Sequence, residues 1–456
     1  MIDRPATWVA EAAGGRLLAG DPAAPGPTRA VVDSRIAGEG DLFVGLPGER
    51  THGSRFARAA LERGAWGVLV APEGGEALAA AAGTTLVAPE AAGGNGPVVI
   101  ATDEPAAALA RLAREWRRAL GCRTVGVTGS TGKTSTKDIL AALLRPALAT
   151  HANRENLNTE IGLPLSILEA GSATEALVLE MAMRGPGQIA ELAAIAEPDV
   201  GVVVNVGPVH LELLGTVERV AATKAELIRD LPSGSACVVP AGEPLLAEHL
   251  RDDLDTIAFG PGGDVTLTAF DGHRAEIDCR GVPVLLELAY AQPHNVLNTL
   301  AAVAAASALG VTPAGRVEPR FSRLRGEVVE LPGEVTVIND CYNANPMSMR
   351  AALEDLAAAP VPRRLAILGA MAELGPDGER YHREVGSRAT ELQIDALITV
   401  GEPALAYRDG FDGETHAAAT PEEAGALLEE IARPGDRVLI KGSRSAGLER
   451  VLGEPK

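Results

Sequence analysis

One stretch constrains this chain more than any other: Val125-Gly126-Val127-Thr128-Gly129-Ser130-Thr131-Gly132-Lys133-Thr134. It reads as a short apolar strand, a glycine turn, and a helix beginning near Thr134. Glycines let the backbone fold tightly enough to aim several N–H groups at one phosphate, and the helix N-terminus adds partial positive charge. Lys133 would then reach the terminal phosphates, and the Thr134 hydroxyl would sit on a magnesium ion. Val127 stands where the pattern G-x-x-x-x-G-K-S/T has its first glycine, so Gly129 and Gly132 must make the turn. A plain glycine loop accounts for the turn but not for strand, lysine and helix together. The stretch is read as a nucleoside triphosphate site, and it demands an α/β fold with a parallel sheet covered on both faces.

A chain of 456 residues is too long for one core and implies about three domains. The expected units are an N-terminal α/β domain over 1–101, a central doubly wound, mainly parallel domain over 102–313, and a Rossmann-like α/β domain over 314–456. Aromatic residues make up 3% of the chain and the net charge is −20, which argues against nucleic acid or anionic membrane as partner. No long uncharged apolar run suits membrane insertion, and the opening M-I-D-R-P-A-T-W lacks a signal-peptide pattern. Cys122, Cys237, Cys279 and Cys341 form no C-x-x-C pair and read as reduced, buried thiols of a cytoplasmic protein.

Read in order, the first region alternates short strands and helices. Strands are expected at Ala30–Val32, Gly40–Val44, Gly67–Val70 and Val98–Ile100, with a helix from about Ser54 to Arg63. A short helix and a loose loop fill Gly74–Pro97. Asp33, Ser34 and Arg35 at a strand end suit either a phosphorylated ligand or a capped surface turn. A helix over Pro105–Leu120 precedes the glycine loop, and strands at Ala176–Leu179 and Val200–Val204 follow it. Ligands of such sheets gather at the carboxyl ends of the strands. Glu180 lies at one such end and needs a partner, either magnesium beside Thr134 or an internal cation. His210 and Lys224, on their own, read as a loop histidine and a helix lysine. Pro293 opens a helix whose His294, Asn295 and Asn298 could read a base edge or merely cap. In the third region Val335–Ile338 leads into Asp340, Asn343 and Asn345, and a helix runs from Ser348 to Ala359. Arg437–Ile440 leads through Lys441, Ser443 and Arg444 to a final helix.

Whole motifs in this chain resemble those of the Mur ligases of bacterial peptidoglycan synthesis. They are D-S-R at 33–35, G-D-L-F-V-G-L-P-G-E at 40–49, T-G-S-T-G-K-T at 128–134 and N-L-N-T-E-I-G-L-P at 156–164. L-E-M-A around Glu180, N-V-G-P-V-H-L-E-L-L-G-T at 205–216 and H-N-V-L-N at 294–298 continue the series. Y-N-A-N-P at 342–346, L-G-A-M-A-E-L-G at 368–375 and K-G-S-R at 441–444 complete it. The Y-N-A-N-P and L-G-A-M-A-E-L-G motifs resemble the branch that adds D-alanyl-D-alanine to UDP-N-acetylmuramoyl-tripeptide. Members use T-G-x-x-G-K-S/T, which accounts for Val127.

The resemblance implies an ATP-dependent amide ligase acting through an acyl phosphate, with two magnesium ions and a carbon dioxide-derived lysine carbamate. Lys133 and the amides of Gly129, Ser130, Thr131, Gly132 and Thr134 would hold ATP. Thr134 and Glu180 would bind one magnesium ion, and His210 with carbamylated Lys224 the second. Asn295 and Asn298 would read adenine, Asp340 the ribose, and Arg325 with Asn343 would lie near the phosphates. Asp33, Ser34 and Arg35 would contact the uridine nucleotide, with Asn156, Asn158 and Thr159 also on that substrate. Asn345, His382, Lys441, Ser443 and Arg444 would lie near the dipeptide. A cytoplasmic monomer that closes its domains on ATP is expected. The alternatives are a sister ligase adding diaminopimelate or lysine, whose D-N-P-R motif is absent, and a nucleotide-dependent regulator. A GTPase would need N-K-x-D, which is also absent.

Overall fold

The computed structural model describes residues 1, 3–81, 96–154 and 156–453. They form three sheets of five, ten and six strands, in chain order. The first orders its strands Arg16–Ala19, Val98–Ala101, Gly67–Val70, Asp41–Val44, Arg29–Val31, and only the first of these runs antiparallel to its neighbour. A helix at Pro72–Ala81 occupies the start of the stretch expected as helix and loop; residues 82–95 lie outside the described residues.

The middle of the second sheet is parallel: Thr150–Ala152, Ala176–Glu180, Arg123–Thr128, Val200–Val203, Ala236–Pro240 and Asp255–Phe259 lie side by side. All five residues of Ala176–Glu180 are buried, as a strand covered on both faces requires. An antiparallel meander of Val265–Phe270, Arg274–Cys279 and Val282–Leu288 extends the sheet, a part the sequence reading does not anticipate. Its last two strands alternate buried and exposed residues, a weaker signal than a continuous apolar run. Gly315–Val317 pairs with Leu286–Leu288, so the central sheet runs past residue 313.

The third sheet orders Glu327–Leu331, Val335–Asn339, Arg437–Lys441, Arg364–Gly369, Ala396–Val400, Glu414–Ala418, all parallel except the first pair. The final helix expected after Lys441 is instead two short 3-10 turns, Arg444–Ala446 and Leu448–Arg450. They are separated by Gly447, whose left-handed φ of 62° ends the first turn.

The first two regions share one apolar core. Ala6, Val9 and Ala13 pack with Leu109, Leu112 and Trp116, and that cluster continues to Leu163, Ile167 and Leu179. Trp116 stacks edge-on against Trp8 at 6.1 Å and donates its indole N–H to the Ala170 carbonyl at 2.9 Å. The third region has its own cores on the two faces of its sheet. All four cysteines are buried free thiols. Among the described residues no helix is long and apolar enough to cross a membrane.

Candidate active site

The carboxyl ends of Arg123–Thr128, Ala176–Glu180 and Val200–Val203 are adjacent in the sheet, and the site is built there. The loop Gly129–Gly132 leads directly into the helix Lys133–Leu144. Gly132 has a left-handed φ of 75°, and a Cβ on it would stand 2.7 Å from Asn298 Oδ1. Only glycine both makes that turn and lets the Asn298 helix lie against the loop. Asn205, just past the Val200–Val203 strand, braces the loop: its Oδ1 accepts from Ser130 N and Thr131 N, each at 3.0 Å. Its Nδ2 donates to the Thr131 carbonyl at 3.1 Å. Those two amides are therefore engaged, which leaves the Gly132 amide and the first-turn amides of the helix to face an anion. Lys133 Nζ folds back to donate to Gly129 O at 2.8 Å. Burial lowers its pKa, against a raising influence from Glu180.

Thr134 and Glu180 do come together, with Thr134 Oγ1 donating to Glu180 Oε2 at 2.7 Å in a buried setting. Asn158 Nδ2 donates to the other oxygen of Glu180 at 2.8 Å. The strand end is locked by Asn153, which accepts from Glu180 N at 2.8 Å and donates to Glu180 O at 3.1 Å. Buried Lys137 in turn donates to Asn153 O at 2.7 Å. Thr134 and Glu180 offer two hard oxygen donors on adjoining elements, the donor chemistry magnesium takes, with phosphate and water completing its shell. Among the described residues, no three His, Cys, Asp or Glu side chains cluster as a ligand set.

His210 N-caps the short helix Leu211–Leu214 with a left-handed φ of 53°. Its Nδ1 is held by the carboxylate of Glu373, so only Nε2 is free to act. Burial lowers the His210 pKa, with Glu373 opposing and Lys224 and Lys133 assisting. Lys224 ends the helix Val217–Lys224 and is 2% exposed. Its pKa is pushed well down, first by burial and then by Lys133. No acidic side chain among the described residues pairs with it.

The third region reaches the loop through Tyr342–Pro346. Asn345 N-caps the helix Pro346–Ala358 in a reciprocal box with Ser348, and its Nδ2 donates to Ser130 O at 3.3 Å. Arg325 lies 4.2 Å over the Tyr342 ring, and its buried Nε has no hydrogen-bond partner. Its charge is felt at Lys133, which puts this cation near the loop. Asn343 is exposed and accepts from its neighbour Ala344 N. Asn295 and Asn298 are buried together at 3.4 Å, beside the loop.

Several expected ligand contacts have other employment. Lys441 Nζ pairs with Asp340 Oδ2 at 2.5 Å and also donates to Asn343 O, so these two residues neutralise each other. Both nitrogens of His382 are taken by backbone: Nε2 accepts from Met371 N at 2.9 Å and Nδ1 donates to Gly378 O at 2.6 Å. Ser443 stitches loops together, accepting from Ala372 N at 2.8 Å. Arg444 is exposed and reaches Glu449 at 3.5 Å. Asp33 and Arg35 close on each other at 2.7 Å at the surface, which drives the Asp33 pKa down to about 2. Ser34 flanks that turn. Asn156 and Thr159 are exposed. Sequence reasoning missed Asn153, Asn205 and Glu373. The only available signal was their position inside or beside motifs already singled out.

Residues 127–306 match the Mur ligase middle domain, and residues 324–444 the domain described as Mur ligase, glutamate ligase domain. The chain is 37% identical to the UDP-N-acetylmuramoyl-tripeptide–D-alanyl-D-alanine ligase of Mycobacterium tuberculosis, covering 92% of this chain and 90% of that protein. It is similar to a MurF of Acinetobacter baumannii with a TM-score of 0.82 at 26% identity, over 100% of this chain and 99% of the other. The MurF ligase of Thermotoga maritima, solved in complex with ADP, matches with a TM-score of 0.76 at 32% identity, over 93% and 96% of the two chains.

Proposed function

Because this chain belongs to the Mur ligase family, we propose that it is an ATP-dependent, ADP-forming ligase that joins D-alanyl-D-alanine to UDP-N-acetylmuramoyl-tripeptide. The observation that carries this reading is one assembly: phosphate loop and Thr134–Glu180 pair at neighbouring strand ends, with His210 and the helix-end Lys224 close enough to bear on each other and on Lys133, beside the Y-N-A-N-P loop. The tripeptide carboxylate is a poor electrophile. Transfer of the γ-phosphoryl group of ATP gives an acyl phosphate, and the dipeptide amine then displaces phosphate.

This chain's own groups have distinct parts in that scheme. Lys133 and the helix amides hold the terminal phosphates, with Arg325 adding a second cation from the third region. Asn295 and Asn298 lie where a base would meet the loop. Thr134 and Glu180 would hold one magnesium ion and His210 Nε2 a second, and such ions offset charge on the transferring group. Lys224 fits that second ion only after a change of sign. Its neutral amine, favoured by burial, would add carbon dioxide with loss of a proton, and the resulting carbamate would supply an anionic oxygen. The N-terminal region takes the uridine end and the third region the dipeptide, so the enzyme must close to bring them together, and we read it as a cytoplasmic monomer. The sister-ligase reading is not favoured, since the sequence relatives at 30–37% identity are UDP-N-acetylmuramoyl-tripeptide–D-alanyl-D-alanine ligases and D-N-P-R is absent.

The test is ADP release by purified protein given ATP, magnesium and the two acceptors separately and together. Release is expected only with both. Equal turnover when free diaminopimelate replaces the dipeptide would overturn the substrate assignment.

A further inference from the structure

Glu373 has no part in the scheme above, yet it is the third region's most elaborate contact with the central one. It sits in the turn after Arg364–Gly369, with a left-handed φ of 61°, a conformation uncommon for glutamate. Its side chain holds His210 Nδ1 and lies 3.7 Å from Arg184 Nε, while its carbonyl accepts from Glu212 N at 3.1 Å. Next to it Gly375 brings its backbone against Glu212, where a Cβ would stand 3.3 Å from Glu212 Cα. Thus backbone and side chain of one turn both register on residues 210–212. This is more than packing requires, and it is spent on a histidine that is itself held at positive φ.

A histidine that binds a cation through one ring nitrogen needs a proton on the other, and its partner there decides the tautomer. A carboxylate accepts only, so it holds the proton on Nδ1 and leaves the Nε2 lone pair outward. We infer that Glu373 is a positioning residue that sets the His210 tautomer from across the domain boundary, so that His210 becomes a competent cation ligand only when the third region is docked. Docking and cation binding then favour each other by the same factor. In the open form His210 exchanges between tautomers and aims at nothing fixed. The inference rests on the proposed magnesium role of His210, but its test needs neither peptide substrate nor turnover.

Two variants separate the possibilities. Glu373→Gln keeps an acceptor at the same reach, and Glu373→Asn tolerates the left-handed backbone but falls short of His210. With a non-hydrolysable ATP analogue bound, Mn2+ affinity is measured by electron paramagnetic resonance, and the His210 tautomer by 15N chemical shifts without metal. The expected result is a single Nδ1–H tautomer in wild type and a mixture in Glu373→Asn. Mn2+ binding should weaken about 10- to 100-fold in Glu373→Asn, the range for losing a ligand's outer partner. Glu373→Gln should retain most of both properties. Wild-type tautomer and Mn2+ affinity in a folded Glu373→Asn would overturn the inference, as would equal losses in both variants. If instead wild type shows the tautomer and metal coupling but no ligase turnover, the substrate assignment fails and this inference stands.

Discussion

The two junctions of this molecule are built from different materials. The N-terminal and central regions meet through a continuous apolar core, with Trp8 and Trp116 stacked at 6.1 Å across it. Beyond the connecting segment, where Phe321 packs edge-on against Tyr290 at 5.6 Å, the central and third regions meet mainly through polar and single-atom contacts: Asn345 on the Ser130 carbonyl, Glu373 on His210, and Met347 over Gly207. Tyr381 is the one third-region side chain packed against the shared core among the described residues. Apolar burial is non-directional and costly to open, whereas a polar seam exchanges its hydrogen bonds for water at little net cost. The first junction therefore behaves as a weld and the second as a seam that opens. Phosphate loop, Glu180, His210 and Lys224 all lie beside the seam, where opening admits ligands and closure removes water.

The largest expected effect tests the weld. Trp116→Ala should cost about 3–5 kcal/mol, the scale for emptying a large aromatic site, and it also leaves the Ala170 carbonyl without its donor. Urea unfolding followed by circular dichroism should show the first two regions lost together at lower denaturant. If the N-terminal region melted separately with its midpoint unchanged, the shared core would not be a single unit.

Next in size is Lys224→Ala, beneath the seam. A buried ammonium with no acid partner is unfavourable to the fold, so the variant should melt no lower than wild type. Turnover should nevertheless fall about 10²- to 10³-fold, as for loss of one preorganised electrostatic group. Formate or acetate should restore part of it by filling the vacated oxygen position. Full activity without added carboxylate would remove the carbamate from the scheme.

A third variant tests whether closure of the seam matters. A Cβ at Gly207 would overlap the Met347 sulfur, so Gly207→Ala should hold the third region slightly off the loop. Misplacement of this order costs up to ~10²-fold in kcat. Met347→Ala in the same chain should recover most of the loss while the melting temperature stays flat. Failure of that rescue would mean that Gly207 matters for the loop alone, through its bonds with Ser130.

The same contrast explains what could be read in advance. The phosphate loop, Lys133, Thr134 and Glu180 were legible because each lies in or next to a run of buried strand whose end defines the site. The strands that frame the site and the parallel part of the first sheet were legible for the same reason, whereas Ala236–Pro240, Asp255–Phe259 and Ala396–Val400, parallel strands farther from any motif, were not singled out. The seam was not legible either. Lys441 looked free for a carboxylate, but its partner Asp340 lies 101 positions away. Glu373 stood inside a quoted motif, yet nothing local pointed to His210, 163 positions distant. His382 was assigned through the resemblance alone and Ser443 through its place at a strand end; here both satisfy backbone groups that only the folded turn brings near. Pattern reports burial, and it does not report which polar group meets which.

The smallest expected effect concerns the Asp33–Arg35 turn, on the welded side but outside the weld. Its Asp33 pKa, depressed to about 2 chiefly by hydrogen bonds from Arg35, lies below the unfolded value. Any stabilisation from the pair is therefore complete above the ordinary carboxylate pKa and lost only as pH falls through about 2. Between pH 5 and 8, about the range in which folds are most stable, the pair has no pH signature, and exposure keeps it weak. Arg35→Ala should accordingly leave the melting temperature unmoved across that range. If the guanidinium also grips the uridine nucleotide's phosphates, KM for the UDP-linked substrate should rise about tenfold with kcat unchanged, the mark of a contact made equally in ground and transition states. An unchanged KM would make the turn a surface cap and place the uridine end elsewhere on the first sheet. A fall in kcat would mean instead that the N-terminal region moves during turnover, which a welded junction does not permit.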